Sequence, residues 1–153
     1  ARLATEGGLA RWRGQRYSVG RAADLEEAVR GADIVSCATL SSEPLVQGAW
    51  LKPGAHLDLV GAFKPDMRET DDEAMRRARL FVDTRAGALG EGGDILQAIA
   101  SGAIGEDDIA ADLFELTAGE KAGRRFYDQI TAFKSVGASL EDLAAATLVL
   151  RQV

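Results

Sequence analysis

Three short stretches hold the residue types that could meet a small molecule: Thr39-Leu40-Ser41-Ser42, Gly61-Ala62-Phe63 and Ser135-Val136. Small side chains and hydroxyls let a flat ring or a ribose approach backbone N–H and C=O groups, which is chemistry suited to a nucleotide. Taken singly, each stretch reads as the end of a strand; together they matter more. Other reactive types offer less. His56, the sole histidine, begins an apolar run and so sits at the strand end opposite these loops, where catalysis by it is not expected. Cys37 lies inside an apolar run and reads as a small buried hydrophobe. No cluster of His, Cys and carboxylates has ligand spacing, so no metal is expected. Lys134 and Glu91 are the charged residues nearest the proposed edge, and each alone reads as a solvated loop charge. Asp94 reads as a helix cap.

Short apolar runs must position these loops. His56 to Val60 breaks at Gly61, Ile34 to Thr39 runs into Leu40-Ser41-Ser42, and Leu80 to Asp83 runs into Thr84-Arg85. Each is long enough for a strand and too short for a helix. Ile130 to Phe133 supplies another strand, with β-branched residues before Ser135. Helices are predicted between them. Asp24 with Glu27 starts one that Gly31 ends. Pro44 opens a short one toward Trp50. Thr70-Asp71-Asp72-Glu73 is a capping box, and Ile109, Leu113 and Leu116 mark a further helix. Ser139 caps a last helix carrying Leu140, Leu143, Thr147 and Leu150 on one stripe. Ala1 to Trp12 reads as a helix remnant, and Arg16 to Val19 as a weak strand. Gly87 to Gly93 reads as a flexible surface connection, since its glycines do not follow a strand as a dinucleotide fingerprint requires. Strands alternate with helices and no tight hairpin is visible, which predicts a parallel sheet with helices on its faces. Parallel strands end at one edge, where ligands bind in such sheets.

The 153 residues suit one domain, and 46% apolar with 27% charged residues is ordinary for a globular protein. A net charge of −6 argues against nucleic acid as the main partner. No apolar run approaches the ~20 residues that span a bilayer. No signal peptide is visible, and one cysteine forms no internal disulfide, so a cytoplasmic protein is expected.

Ala32 to Thr39, Glu43-Pro44, Trp50-Leu51-Lys52-Pro53-Gly54-Ala55-His56, Val60-Gly61-Ala62, Arg68-Glu69, Val82-Asp83, Gly93-Asp94 and Phe133-Lys134-Ser135-Val136-Gly137 together resemble the ornithine cyclodeaminase/mu-crystallin family. The resemblance covers nearly the whole chain. It implies a Rossmann-type α/β fold, a parallel sheet with helices on both faces. That sheet would be incomplete, because the first strand and the glycine fingerprint lie upstream of residue 1. Its central strand would be missing, and the gap would need upstream sequence or a partner. The resemblance implies that residues 1–153 form one partial NAD(P)-binding domain, with the helix in 138–153 expected to return toward a missing dimerisation domain.

The resemblance further implies NAD(P)H contacts at Thr39, Leu40, Ser42, Val60, Ala62, Ser135 and Val136. It implies a ligand-side acid at Glu91 and a substrate-pocket position at Phe63. In the cyclodeaminases an Asp stands in the place of Phe63 and moves the proton for ammonia loss and ring closure. A benzyl group cannot. The chain is therefore expected to resemble the branch that reduces cyclic imino acids such as Δ1-pyrroline-2-carboxylate, as a homodimer with a small-molecule imino or amino acid substrate. The alternatives are ornithine cyclisation or an alanine dehydrogenase-like activity, and a non-catalytic NADPH- and ligand-binding role like that ascribed to mu-crystallin.

Overall fold

The computed structural model describes residues 9–12 and 15–151. Strands β1 (Leu9–Trp12) and β2 (Gln15–Ser18) pair antiparallel as a separate two-stranded sheet. This corrects the helix expected over Ala1 to Trp12, of which residues 1–8 lie outside the described residues, and it supplies the tight hairpin that was not foreseen. Helix α1 (Leu25–Gly31) follows, with the Asp24 carboxylate accepting from the Glu27 N–H at 2.7 Å.

The main sheet begins with β3 (Ile34–Cys37) and continues with β4 (His56–Leu59). Between them the helix expected from Pro44 does not form. Residues 44–47 run extended, Val46 bridges to Thr70, and only a 3-10 turn closes at Gly48–Trp50. Then come α2 (Asp72–Arg77), β5 (Arg79–Val82), α3 (Arg85–Glu91), α4 (Gly93–Ala100) and β6 (Ile109–Asp112). Next are α5 (Leu113–Thr117), β7 (Thr131–Lys134) and α6 (Ser139–Leu150). The cap of α2 is Asp71, whose carboxylate accepts from Ala74; Thr70 is buried elsewhere. The predicted flexible segment Gly87 to Gly93 is helical except at Gly92, which joins α3 to α4. Thr84 caps α3 by accepting from Gly87, and Gly93 opens α4 where a Cβ would stand 2.0 Å from the Met67 carbonyl. Close packing, not mobility, explains that glycine. The helix expected from Ile109 to Leu116 is instead a strand and a short helix. Asp112 and Glu115 cap each other, so the helix starts at Leu113, while Ile109 and Ala111 are buried in alternation. Ala138, not Ser139, is the N-cap of α6, and no side chain caps it.

The five strands lie in the order β3-β4-β7-β5-β6, all parallel. The last strand, β7, fills the middle, so no gap interrupts the sheet. Among the described residues the sheet has two open flanks, that of β6 and that of β3, where Ile34 is 67% exposed. Register puts Cys37, Leu57, Leu59, Ala132, Lys134, Leu80 and Val82 on one face. That face and residues of α1 to α4 make the core. The chain steps outward from β3 to β6 and then returns to β7. Right-handed crossovers put that return on the opposite face, where Leu113 and Leu116 of α5 stand beside Phe81 and Phe133.

Candidate functional site

Because the strands are parallel, β3, β4 and β7 discharge at one edge, and their loops meet around a cavity of about 400 Å³. Thr39 and Leu40 come from β3, Val60 and Phe63 from β4, and Ser135 and Val136 from β7. The volume lies within the range of small-molecule pockets. Three other residues singled out in the sequence are outside this lining. Ser42 is exposed further along the β3 loop, and Glu91 is exposed at the end of α3. Ala62 is fully buried, its carbonyl accepting from Gly93 at 3.1 Å. Glu141, at the start of α6, does line the cavity. Sequence reading missed it because nothing local distinguishes it from the helix-start acid Asp142.

Two buried carboxylates shape the rim. Glu69 Oε1 accepts from the Thr39 N–H at 2.6 Å and its hydroxyl at 2.9 Å, and Oε2 accepts from the Gly61 N–H at 2.9 Å. Gly61 itself has no room for a side chain: a Cβ would stand 2.1 Å from the Thr39 carbonyl oxygen. Asp83 Oδ2 accepts from the Ser135 hydroxyl and from the N–H groups of Val136 and Gly137, at 2.8–3.0 Å. So one acid joins the β3 and β4 loops, and another folds the β7 loop against the end of β5.

A third buried acid supports the first. Asp94 is not the cap of α4 but lies inside its first turn, fully buried. Its Oδ1 accepts from the N–H groups of Glu69 and Thr70 and from the Thr70 hydroxyl. Its Oδ2 has no hydrogen bond and faces Lys134 Nζ at 3.8 Å. Lys134, far from a solvated loop charge, is 1% exposed and donates to the Leu59 carbonyl at 3.3 Å. Burial pushes the Asp94 carboxyl up and the Lys134 ammonium down, while each charge partly counters the shift of the other. Cys37, beneath the same loops, is raised to about 11, first by burial and then by Glu69 and Asp94. It is a neutral thiol at physiological pH and no nucleophile.

A larger cavity, about 460 Å³, opens on the opposite face beside His56, Phe81, Arg124 and Phe133. Its polar groups are committed to structure. Arg124 donates to the Gly54 and Ala55 carbonyls and to Thr131, and His56 Nδ1 is 2.8 Å from the Thr131 hydroxyl. Burial, the main influence, lowers the His56 pKa. The smaller cavity at the carboxyl edge is therefore the candidate site. Among the described residues no group of His, Cys, Asp and Glu could hold a metal ion, and no helix is long and apolar enough to cross a membrane.

The parallel sheet with a loop-lined cavity at its carboxyl edge defines a Rossmann-type α/β domain. The chain belongs to the ornithine cyclodeaminase/mu-crystallin family, whose sequence pattern matches residues 3–153. It is 48% identical over 128 residues to the Delta(1)-pyrroline-2-carboxylate reductase of Paracoccus denitrificans, covering 84% of this chain and 40% of that protein. It is 49% identical over 125 residues to the ketimine reductase mu-crystallin of Mus musculus, covering 82% and 37%. Among solved structures, the Thermococcus litoralis Delta(1)-pyrroline-2-carboxylate reductase in complex with NADH and L-proline superimposes with a TM-score of 0.82 at 40% identity. That match covers 86% of this chain and 41% of the other. The chain thus spans about 40% of the length of the relatives it matches.

Proposed function

We propose that this chain is the nicotinamide-side half of an NAD(P)H-dependent reductase that converts a cyclic ketimine carboxylate of the Δ1-pyrroline-2-carboxylate type into the corresponding cyclic amino acid. The observation that carries the reading is the meeting of Thr39, Val60, Phe63 and Ser135 around one cavity at the carboxyl edge. The residues fit such a cofactor: small and hydroxyl side chains leave the backbone approachable, and Gly61 lets the β3 and β4 loops pack closely together, where a Cβ would meet the Thr39 backbone. When bound, NAD(P)H supplies the hydride that the imine carbon receives.

The chain's own residues bind, orient and exclude water. Thr39 and Ser135 are held by Glu69 and Asp83, so the backbone that meets the cofactor is set before it binds. Phe63, 37% exposed at the rim, offers an apolar wall to ring carbons and carries no transferable proton. Removal of an amine with ring closure needs an acid/base there; reduction of a preformed iminium does not. That contrast favours the reductase over ornithine cyclisation. Residues 138–153 serve as the link toward a dimerisation domain, a role consistent with Leu140, Leu143, Leu148 and Leu150 of α6 all being exposed. The working form is then a homodimer, and its place is the cytoplasm.

The test is turnover of Δ1-pyrroline-2-carboxylate by the full-length protein with NADH and with NADPH, followed at the nicotinamide absorbance. Oxidation of either cofactor coupled to formation of proline is expected. Failure with every cyclic imine offered would end the proposal, and tight cofactor binding without turnover would favour a binding protein instead.

A further inference from the structure

We infer that Glu69 is the positioning residue of the nicotinamide site, one that sets the geometry of the β3 and β4 loops without itself touching cofactor or substrate. The inference rests on the reductase reading above. Glu69 is fully buried and is absent from the cavity lining, yet it is bonded to two residues whose loops line it. Every polar group of the residue is engaged. Its carboxylate takes Thr39 N–H, the Thr39 hydroxyl and Gly61 N–H. Its own N–H goes to Asp94 Oδ1, and its carbonyl accepts from Leu45 and Val46. The residue is thus fixed at its backbone by α4 and the extended segment 44–46, and its side chain reaches back under the rim.

The consequence is a coupling between two loops that the sheet alone does not provide. Strand pairing between β3 and β4 ends at Cys37 and Leu59. Beyond it, the single backbone bond from Val60 N–H to the Cys37 carbonyl is followed by the two arms of Glu69. A carboxylate can accept at both oxygens at once, whereas a glutamine amide of the same size must turn one NH₂ toward an N–H donor. Glu69→Gln therefore keeps volume and disconnects either Thr39 or Gly61. The glycine fingerprint that holds a pyrophosphate is not in this chain, so the cavity between Thr39, Val60 and Phe63 falls to the nicotinamide end of the cofactor. Misplacing these loops should weaken only the ligand that reaches them.

The experiment compares NADH with ADP-ribose, which lacks the nicotinamide, in titrations of full-length wild type and Glu69→Gln. At least a tenfold loss of NADH affinity is expected, in line with losing a buried charged hydrogen bond, with ADP-ribose changed less than twofold. Equal weakening of both ligands, or of neither, overturns the assignment. Amide hydrogen exchange in the absence of ligand gives the second readout: Thr39 and Gly61 N–H are protected in wild type, and one of the two loses protection in the variant. Unchanged exchange there overturns the clamp whatever NADH does. Failure of wild type to bind NADH, with the exchange change intact, sinks the reductase reading instead. Should Glu69→Gln not fold, Thr39→Val removes the hydroxyl arm together with the weaker bond from the Ser41 N–H and keeps the Thr39 N–H on Glu69, and the same selective loss of NADH affinity is expected at about threefold. Its absence counts against the proposal.

Discussion

Replacing Lys134 by methionine leaves Asp94 buried with no cation facing its free oxygen. Lys134 is 1% exposed, Asp94 is 0% exposed, and Nζ stands 3.8 Å from Oδ2. Asp94 should stay in place, because Oδ1 keeps its three bonds from Glu69 and Thr70. A pair at this separation attracts by about 4 kcal/mol at an effective dielectric near 20. Desolvation of the ammonium offsets part of that, and methionine preserves the packing of the stem, so the expected loss at neutral pH is about 3 kcal/mol. The pH dependence makes the prediction specific. Burial holds the Asp94 carboxyl above the ordinary range, and Lys134 is among the groups that pull it back. Without Lys134 it rises further. Between the unfolded value near ~3.9 and the raised folded value, the folded chain keeps a proton that the unfolded chain has lost. Stability falls as pH rises through that window, and the variant's window extends higher. Burial also lowers the Lys134 pKa, so wild type gains stability as pH rises from that depressed value toward the unfolded lysine value, and the variant does not. Both effects widen the gap with pH. Urea unfolding of the full-length wild type and variant from about pH 4.5 to about pH 8 measures it. A difference that stays constant over that range, or a variant as stable as wild type at its alkaline end, refutes the reasoning.

Three further outcomes follow from the same rim. Gly61→Ala puts a Cβ 2.1 Å from the Thr39 carbonyl oxygen and 2.2 Å from Glu69 Oε1; it should lower stability by about 3 kcal/mol in denaturant titration, and a neutral result would mean the loops are free to separate. Asp83→Asn replaces an oxygen that accepts from Ser135, Val136 and Gly137; a loss of about 2 kcal/mol and faster amide exchange at Val136 and Gly137 are expected, and unchanged exchange would contradict the clamp. Cys37, with its pKa near 11, should present about one thiolate in a thousand at pH 8. Its alkylation in the folded protein should rise about tenfold per pH unit well beyond the range in which a free cysteine levels off, and an early plateau would show a lower pKa.

What the sequence made legible were features whose cause is local. The runs Ile34 to Cys37, His56 to Leu59 and Leu80 to Val82 are apolar, short and bounded, and each is a strand. Once parallel, their loops had to meet, which is why Thr39, Val60 and Ser135 could be grouped without coordinates. Features set by distant partners were illegible. Ile109 and Leu113 have helical spacing, yet β5 recruits Ile109 as a strand residue from 29 positions away in register with Leu80. The glycines at 90, 92 and 93 look mobile in isolation, but the carbonyls of Lys64 and Met67 close on Gly93 and pin it. Asp94 and Lys134 were misread, and Glu69 and Asp83 passed over, for one reason. Glu69, Asp83, Asp94 and Lys134 are polar in type, and the local rule sends such residues to caps and surfaces. Their partners lie 30 residues away for Glu69 and Thr39, 52 for Asp83 and Ser135, and 25 for Asp94 and Glu69. A buried carboxylate is tolerable only where several N–H groups converge on it, and that convergence exists only after the loops have come together. The acids that organise the edge are therefore visible last, because the folded rim is itself the solvent that makes their burial possible.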